Sequence, residues 1–345
     1  MTTDDALTDD LRTGIDGLID TAGITEDREL IRRMLQSSIA LGQDDADRLD
    51  LKIASAALGE MREAFELFAP FVGVPKATIF GSARTASDGA LYRRAYAVAQ
   101  NLAQNGWMIV TGAGPGIMLA AAEGAGREKS IGVSIRLPFE KNANELVSED
   151  SHLVSMKYFF TRKLMLMKES SGFICLPGGF GTMDEMFELL TLQQTGKAEP
   201  TPIVLLDEPG GTYWQGLERF VTEHLAAGGY VADDDLDRVL VTDSVEEAVA
   251  EITGFWKNYD SMRWVGDVLV MRLRAAPTDE ELAGLNEQFG DLLLRGAIAR
   301  TEPLRPERTD GDKLDLPRIS LTLDQYRVGD LHHLIRALNV LPSAA

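Results

Sequence analysis

Between Lys76 and about Tyr259, short apolar runs alternate with stretches of helical spacing, and this alternation limits the fold more than any other feature. The runs are "ATIF", "WMIVT", "SIGVSI", "GFICLP", "PIVLLD" and "RVLVT". They are continuous and apolar, with none of the polar alternation of a strand that has one wet face. Strands of that kind lie in parallel sheets covered on both sides. The stretches between them, such as "DGALYRRAYAVAQNLAQNG" and "SVEEAVAEITGFWKNY", have apolar residues at helical spacing. The pattern predicts an α/β fold with a doubly wound parallel sheet.

Both ends depart from this pattern. Residues 1–74 read as a helical N-terminal extension, closed by Pro70, Gly73 and Pro75 in "APFVGVPK". Residues 75–260 form the expected core, and 261–345 a small C-terminal α+β module. Within that module "WVGDVLVMRLRAA" reads as one strand and "TDEELAGLNEQFGDLLLRG" as a helix. A polar, proline-bearing stretch follows, then the strand "RISLTL" and the helix "YRVGDLHHLIRALNVL".

The chain has 54 acidic and 34 basic residues, a formal net charge of −20. A nucleic-acid binder carries a basic footprint, so no nucleic-acid partner is expected. No apolar run is long enough to span a bilayer, and "MTTDDALTDD" lacks the features of a signal peptide. No membrane partner and a cytoplasmic location are the expectations. An acidic chain must build any anion site locally, from helix N-termini and a few placed cations. The single cysteine, Cys175, lies in an apolar strand and reads as core rather than nucleophile. His152, His224, His332 and His333 are scattered and read as surface or packing residues, so no metal site is expected.

Three glycine loops fall at the carboxyl ends of predicted strands: "FGSAR" at 80–84, "TGAGPGIM" at 111–118 and "PGGFGTMDE" at 177–185. In doubly wound sheets ligands bind at that edge, and a helix N-terminus after a glycine loop offers free amides to a phosphate. Ser82, Gly114, Gly116, Gly178, Gly179, Gly181 and Thr182 are therefore candidate phosphate contacts. Gly112, Gly114 and Gly116 do not make the dinucleotide fingerprint, because Ile117 stands where its third glycine belongs. Arg136 and Leu137, not an acid, follow the next strand, and no Walker A sequence is present. No cofactor is expected.

Thr182-x-x-Glu185 fits a capping box, which by itself explains both residue types. The other reading puts the Glu185 carboxylate at the ligand site. Arg162 and Lys163 sit in "YFFTRKLMLMKES", whose composition predicts a largely buried helix. Buried cations need anionic partners, and one of the two pointing into the ligand cleft supplies the functional alternative.

Together "PGGFGTMDE" and "FFTRKLMLM" resemble the P-G-G-x-G-T-x-x-E and Arg-Lys motifs of the Lonely Guy (LOG) family. "FGSAR", "TGAGPGIMLAAAEGA" and "GVSIRLPFEKNAN" are similar to its longer bacterial members. The resemblance covers roughly residues 75–260. It implies a Rossmann-like fold, a homodimer or higher homo-oligomer, and a small-molecule nucleotide substrate. The implied activity is hydrolysis of the N-glycosidic bond of nucleoside 5'-monophosphates, AMP or cytokinin riboside monophosphates, to free base and ribose 5-phosphate. Arg162 and Glu185 then correspond to the catalytic pair, Gly178, Gly179, Gly181 and Thr182 to the phosphate loop, and Lys163 and Thr191 to further site residues. Such proteins have also been called lysine decarboxylases, but the S-x-H-K motif of that chemistry is absent. The alternative is a non-hydrolytic nucleotide- or molybdenum-cofactor-binding carrier or sensor of the same fold.

Overall fold

The structure, a computed structural model, describes residues 8–136 and 152–344. The stretch from Leu137 in "GVSIRLPFEKNAN" therefore lies outside the described residues.

Two compact units are present, Met1–Arg62 and Glu63–Ala345. The first holds α1 (Asp9–Thr21), α2 (Arg28–Gln43) and most of α3 (Arg48–Phe68). Ile15 and Ile19 of α1 bury against Ile31, Leu35 and Ile39 of α2. The last turn of α3 belongs to the second unit.

The second unit opens with β1 (Lys76–Phe80), α4 (Ala90–Gln104), β2 (Met108–Thr111), α5 (Ile117–Ala125), β3 (Ser130–Ile135) and β4 (Leu153–Met156). It continues with α6 (Phe159–Lys168), β5 (Gly172–Cys175), α7 (Phe180–Gln194), β6 (Ile203–Leu206), α8 (Tyr213–Phe220), β7 (Val239–Thr242) and α9 (Val245–Gly254). The seven strands form one parallel sheet in the order β4-β3-β2-β1-β5-β6-β7. The chain winds outward from β1 to β4, returns to the far side of β1, and winds outward again. β1 and β5 are thus the topological switch point, where a crevice opens at the strands' carboxyl ends.

Both faces of the sheet are covered, which is why its strands read as unbroken apolar runs. Ala77 and Ile79 of β1 pack on the face carried by α4, α5 and α9, with Val98, Ile117 and Ile252 in the same core. On the opposite face Thr78 donates a hydrogen bond to the Leu166 carbonyl of α6 at 2.9 Å. Cys175 is wholly buried and burial pushes its thiol pKa up, as a core cysteine requires. α8 runs into a π-helical turn at Val221–Ala226.

The remaining elements are β8 (Tyr259–Val265), β9 (Val268–Leu273), α10 (Asp279–Phe289), β10 (Leu293–Arg300), α11 (Arg305–Asp310), β11 (Arg318–Leu323) and α12 (Leu331–Asn339). The four strands make an antiparallel sheet ordered β10-β11-β9-β8. Where one strand is predicted in "WVGDVLVMRLRAA", there is a hairpin: Val265 pairs with Val268 across Gly266-Asp267, and Gly266 takes φ +64°. The module has its own core, with Leu285 and Phe289 of α10 and Leu334 and Ile335 of α12 against the sheet. Its polar stretch is not a loose connection. Within it Glu307 is 0% exposed and accepts hydrogen bonds from Arg272 Nη2 at 2.9 Å and Arg318 Nη1 at 2.8 Å.

Among the described residues no helix is long and apolar enough to cross a membrane.

Candidate active site

At the switch point the loops after β1, β2 and β5 converge with α6, α7 and α8 around a cleft of about 1020 Å³. Of the residues expected there, Ser82, Arg162, Gly178, Gly179, Gly181, Thr182 and Glu185 line it. Gly114, Gly116, Lys163 and Thr191 do not.

Ser82 joins the loops to one another. Its amide donates to the Pro177 carbonyl at 3.3 Å, and its carbonyl accepts from Ile117 N at 3.1 Å. Its hydroxyl accepts from the Arg84 amide at 3.1 Å, closing a local turn. The first amide of α5 is thus occupied by the protein. Gly116 has φ +66°, and a Cβ there would overlap the backbone of Ser82 and Ala83. Its glycine serves loop-on-loop contact. Gly112 has a different reason: a Cβ would overlap the Arg162 guanidinium.

α7 begins at Phe180, with Gly179 as its N-cap and no side-chain cap. Its first backbone bond runs from Met183 N to Gly179 O, so the amides of Phe180, Gly181 and Thr182 precede the ladder. These donors, at the positive end of a 15-residue helix, border the cleft. The capping-box reading fails here. Thr182 is itself the third helical residue, and Glu185 lies a turn beyond the position from which a side chain reaches back to the cap.

Glu185 instead faces Arg162, with Arg162 Nη1 to Glu185 Oε1 at 3.4 Å. Arg162 is 8% and Glu185 9% exposed. Arg162 Nε donates to the Val133 carbonyl of β3 at 2.9 Å, which aims the guanidinium. Burial lowers the Arg162 pKa, against the pull of Glu185, and an arginine remains cationic under such a shift. Burial pushes the Glu185 carboxyl up to about 7, although Arg162 and Lys163 oppose the rise. The ion pair is long and too weak to offset the loss of water.

Lys163 points elsewhere. Its ammonium meets Asp184 at 3.0 Å and also pairs with Glu188, both on α7. Burial alone would lower its pKa, but the hydrogen bonds it donates to Glu188 and Asp184 raise it. Lys163 is a clasp between α6 and α7. Thr191 is exposed, two turns along α7 from Glu185, and its hydroxyl donates to the Phe187 carbonyl. Nor is α6 largely buried: Phe159, Phe160 and Leu164 are exposed.

Two lining residues escape the motif reading. Tyr213 donates its hydroxyl to the Gly178 carbonyl at 2.6 Å and so braces the glycine loop. It follows Gly210-Gly211-Thr212, a fourth glycine loop at the end of β6, and that signal was available in the sequence. Asp207 holds this loop by accepting from Glu208 N at 2.8 Å and Tyr213 N at 3.0 Å. Arg84 is exposed at the rim. With Arg84 and Arg162 against Glu185, the ionisable lining is net positive in a strongly acidic chain. Among the described residues no group of three or more His, Cys, Asp or Glu side chains is placed to hold a metal ion.

A family described as "Possible lysine decarboxylase" matches residues 116–252. A protein of Mycobacterium marinum named cytokinin riboside 5'-monophosphate phosphoribohydrolase is 31% identical over 163 residues, covering 46% of this chain and 83% of that one. Its namesake from Mycobacterium tuberculosis is 32% identical over 152 residues, covering 43% and 78%. A solved structure of the molybdenum cofactor binding protein from Rippkaea orientalis aligns with a TM-score of 0.38 at 20% identity, over 53% of this chain and 97% of that one. That score is too low to bear on function. The sequence relationship to the two mycobacterial proteins covers most of their length, and the chain belongs to the LOG family.

Proposed function

We propose that the chain is a nucleotide phosphoribohydrolase, which converts a nucleoside 5'-monophosphate and water to free base and ribose 5-phosphate. The observation that carries this reading is the buried Arg162–Glu185 pair at the floor of a net-positive cleft, with the Glu185 pKa raised to about 7. The family relationship supports the same reaction through the relatives' names.

The amides that open α7, together with Arg84, offer a seat for the 5'-phosphate. Seated there, the nucleotide directs its ribose toward Glu185. Breaking the C1'–N bond builds positive charge on the sugar, and a carboxylate beside it stabilises that charge, as in glycoside hydrolysis. The electron pair of the bond leaves with the base, which takes up a proton. Water adds to C1' and gives a proton to Glu185. A base with a pKa near the working pH is suited to that exchange. Arg162 is pinned by the Val133 carbonyl and fixes the Glu185 carboxylate and the sugar hydroxyls in register. Because Glu185 acts as its carboxylate, turnover should rise with pH through about 7. The exposed apolar side chains of α6 and α7, Phe159, Phe160, Leu164 and Phe187, form the face that a second copy would cover.

The test is release of free base, followed by chromatography, from AMP, GMP, CMP, UMP and isopentenyladenosine monophosphate. Release of adenine or its isopentenyl form is the expected result. Binding of all five without any release would instead favour the carrier reading.

A further inference from the structure

Cleavage of a glycosidic bond ordinarily uses two carboxyl groups, one beside the sugar and one that protonates the departing group. The cleft carries one. Among the described residues that line it, Glu185 is the single acidic side chain, and no His, Lys or Cys stands with it. The two lining arginines, Arg84 and Arg162, keep their protons.

The neighbours that could deliver a second proton are engaged elsewhere. Tyr213 donates its hydroxyl to the Gly178 carbonyl at 2.6 Å. Asp207, which anchors the Tyr213 loop, accepts the Glu208 amide on one oxygen and the Tyr213 amide on the other, at 2.8 and 3.0 Å. A carboxyl group that accepts on both oxygens is serving as the carboxylate. Asp184, on the same helix as Glu185, pairs with Lys163. The hydroxyls of Ser82, Thr85 and Thr182 are too weakly acidic for the task. Glu185 cannot fill both roles, since it serves the sugar and water as its carboxylate.

A neutral base such as adenine must then take its proton from solvent as it departs. A base that already carries a fixed positive charge needs none. As the C1'–N bond breaks, its electron pair passes to the ring nitrogen and cancels that charge. Positive charge develops on the sugar beside Glu185, and the base leaves neutral. Water adds to C1' and gives its proton to Glu185. The lining also suits a cationic ring: Phe180 is 96% exposed at the cleft, Tyr213 is a second aromatic there, and aromatic faces attract cations.

We propose that the cleft acts preferentially on nucleoside 5'-monophosphates whose base carries a fixed positive charge, as a purine alkylated at N7 does. This rests on the reading of the cleft as a phosphoribohydrolase, and names the substrate class that one carboxylate without a second acid serves best.

Single-turnover release of base from 7-methyl-AMP and from AMP tests it, because the two differ by one methyl group and the bond-breaking step is isolated from product release. The reactions are run at about pH 8, where Glu185 is the carboxylate, and release in protein-free controls is subtracted. The methylated nucleotide should be cleaved at least about tenfold faster, since a general acid contributes about a hundredfold or more where one exists and would compress the ratio. Tyr213→Phe should change both rates by the same factor. A ratio below about tenfold overturns the proposal, because it means that the protein protonates adenine. A loss confined to AMP in Tyr213→Phe also overturns it, and makes Tyr213 the missing acid. Release from neither nucleotide overturns the reading of the cleft itself, and this inference with it.

Discussion

The Arg272–Glu307–Arg318 cluster and the Arg162–Glu185 pair are both buried, and they differ in how completely the carboxylate is satisfied. In the C-terminal module Glu307 accepts from Arg272 at 2.9 and 3.1 Å and from Arg318 at 2.8 Å, and its second oxygen accepts the Leu304 amide at 2.9 Å. Every direction around it is closed. In the cleft Glu185 has one cation, 3.4 Å away, and open space beyond. The first arrangement ties β9, β11 and α11 together. The second is held in place but under-coordinated, so that a group from outside completes it. The same two residue types make a staple or a site according to how many partners the fold provides.

The largest effect that would break this comparison is on turnover. Glu185→Gln should lower base release by about a thousandfold or more while AMP binding persists. Survival of turnover would reduce the pair to a second staple. Next comes Glu307→Gln, which leaves two buried guanidinium groups facing an amide. It should cost about 3 kcal/mol in denaturant unfolding. Loss of less than a few tenths of that would mean that the two carboxylates are not so different after all.

Stability against pH sharpens the contrast with a smaller effect of opposite sign. The Glu185 carboxyl is raised by burial from 4.5 to about 7, so between those values the folded chain holds a proton that the unfolded chain has released. The Glu185 contribution to stability therefore falls as pH rises through that window. Glu185→Gln removes the penalty and should stabilise the protein by about 2 kcal/mol above pH 7, with no gain below pH 4.5. A functional carboxylate that costs stability is the expected signature of a site. Tyr213→Phe removes the brace on the Gly178 carbonyl and should raise KM for AMP about fivefold with kcat little changed. Smallest is Lys163→Met. As a clasp between α6 and α7 its loss should leave turnover within about twofold, with under 1 kcal/mol of stability lost.

The sheet was legible because two-sided burial leaves a strand no choice of composition, and "GFICLP" or "PIVLLD" can hardly be read otherwise. The hairpin at Gly266-Asp267 was missed because the apolar pattern runs on through the turn. In the site, glycine loops and motif carried the reading to Ser82, Arg162, Gly178 and Glu185, all at the cleft. The motif ranked Arg162 above Lys163 but still placed both at the site. Adjacent residues on a helix point about 100° apart, and only the packing of α6 on β3 decides which enters. Neither loops nor motif showed that Gly116 serves the Ser82 loop, because that contact joins segments more than thirty residues apart. The capping box misled for a local reason: its letters were right, and the helix begins three residues earlier than the motif requires.

The bond from Arg162 Nε to the Val133 carbonyl has a consequence for how this position can change over time. A lysine there would keep the charge but has no second nitrogen with which to hold the strand while facing Glu185. Gly112, whose missing Cβ is the room in which the guanidinium sits, gives nothing back when the arginine shortens. The two positions are locked to each other, and neither has a neighbouring residue type that does half the task. A single substitution at either position breaks the arrangement at its first step.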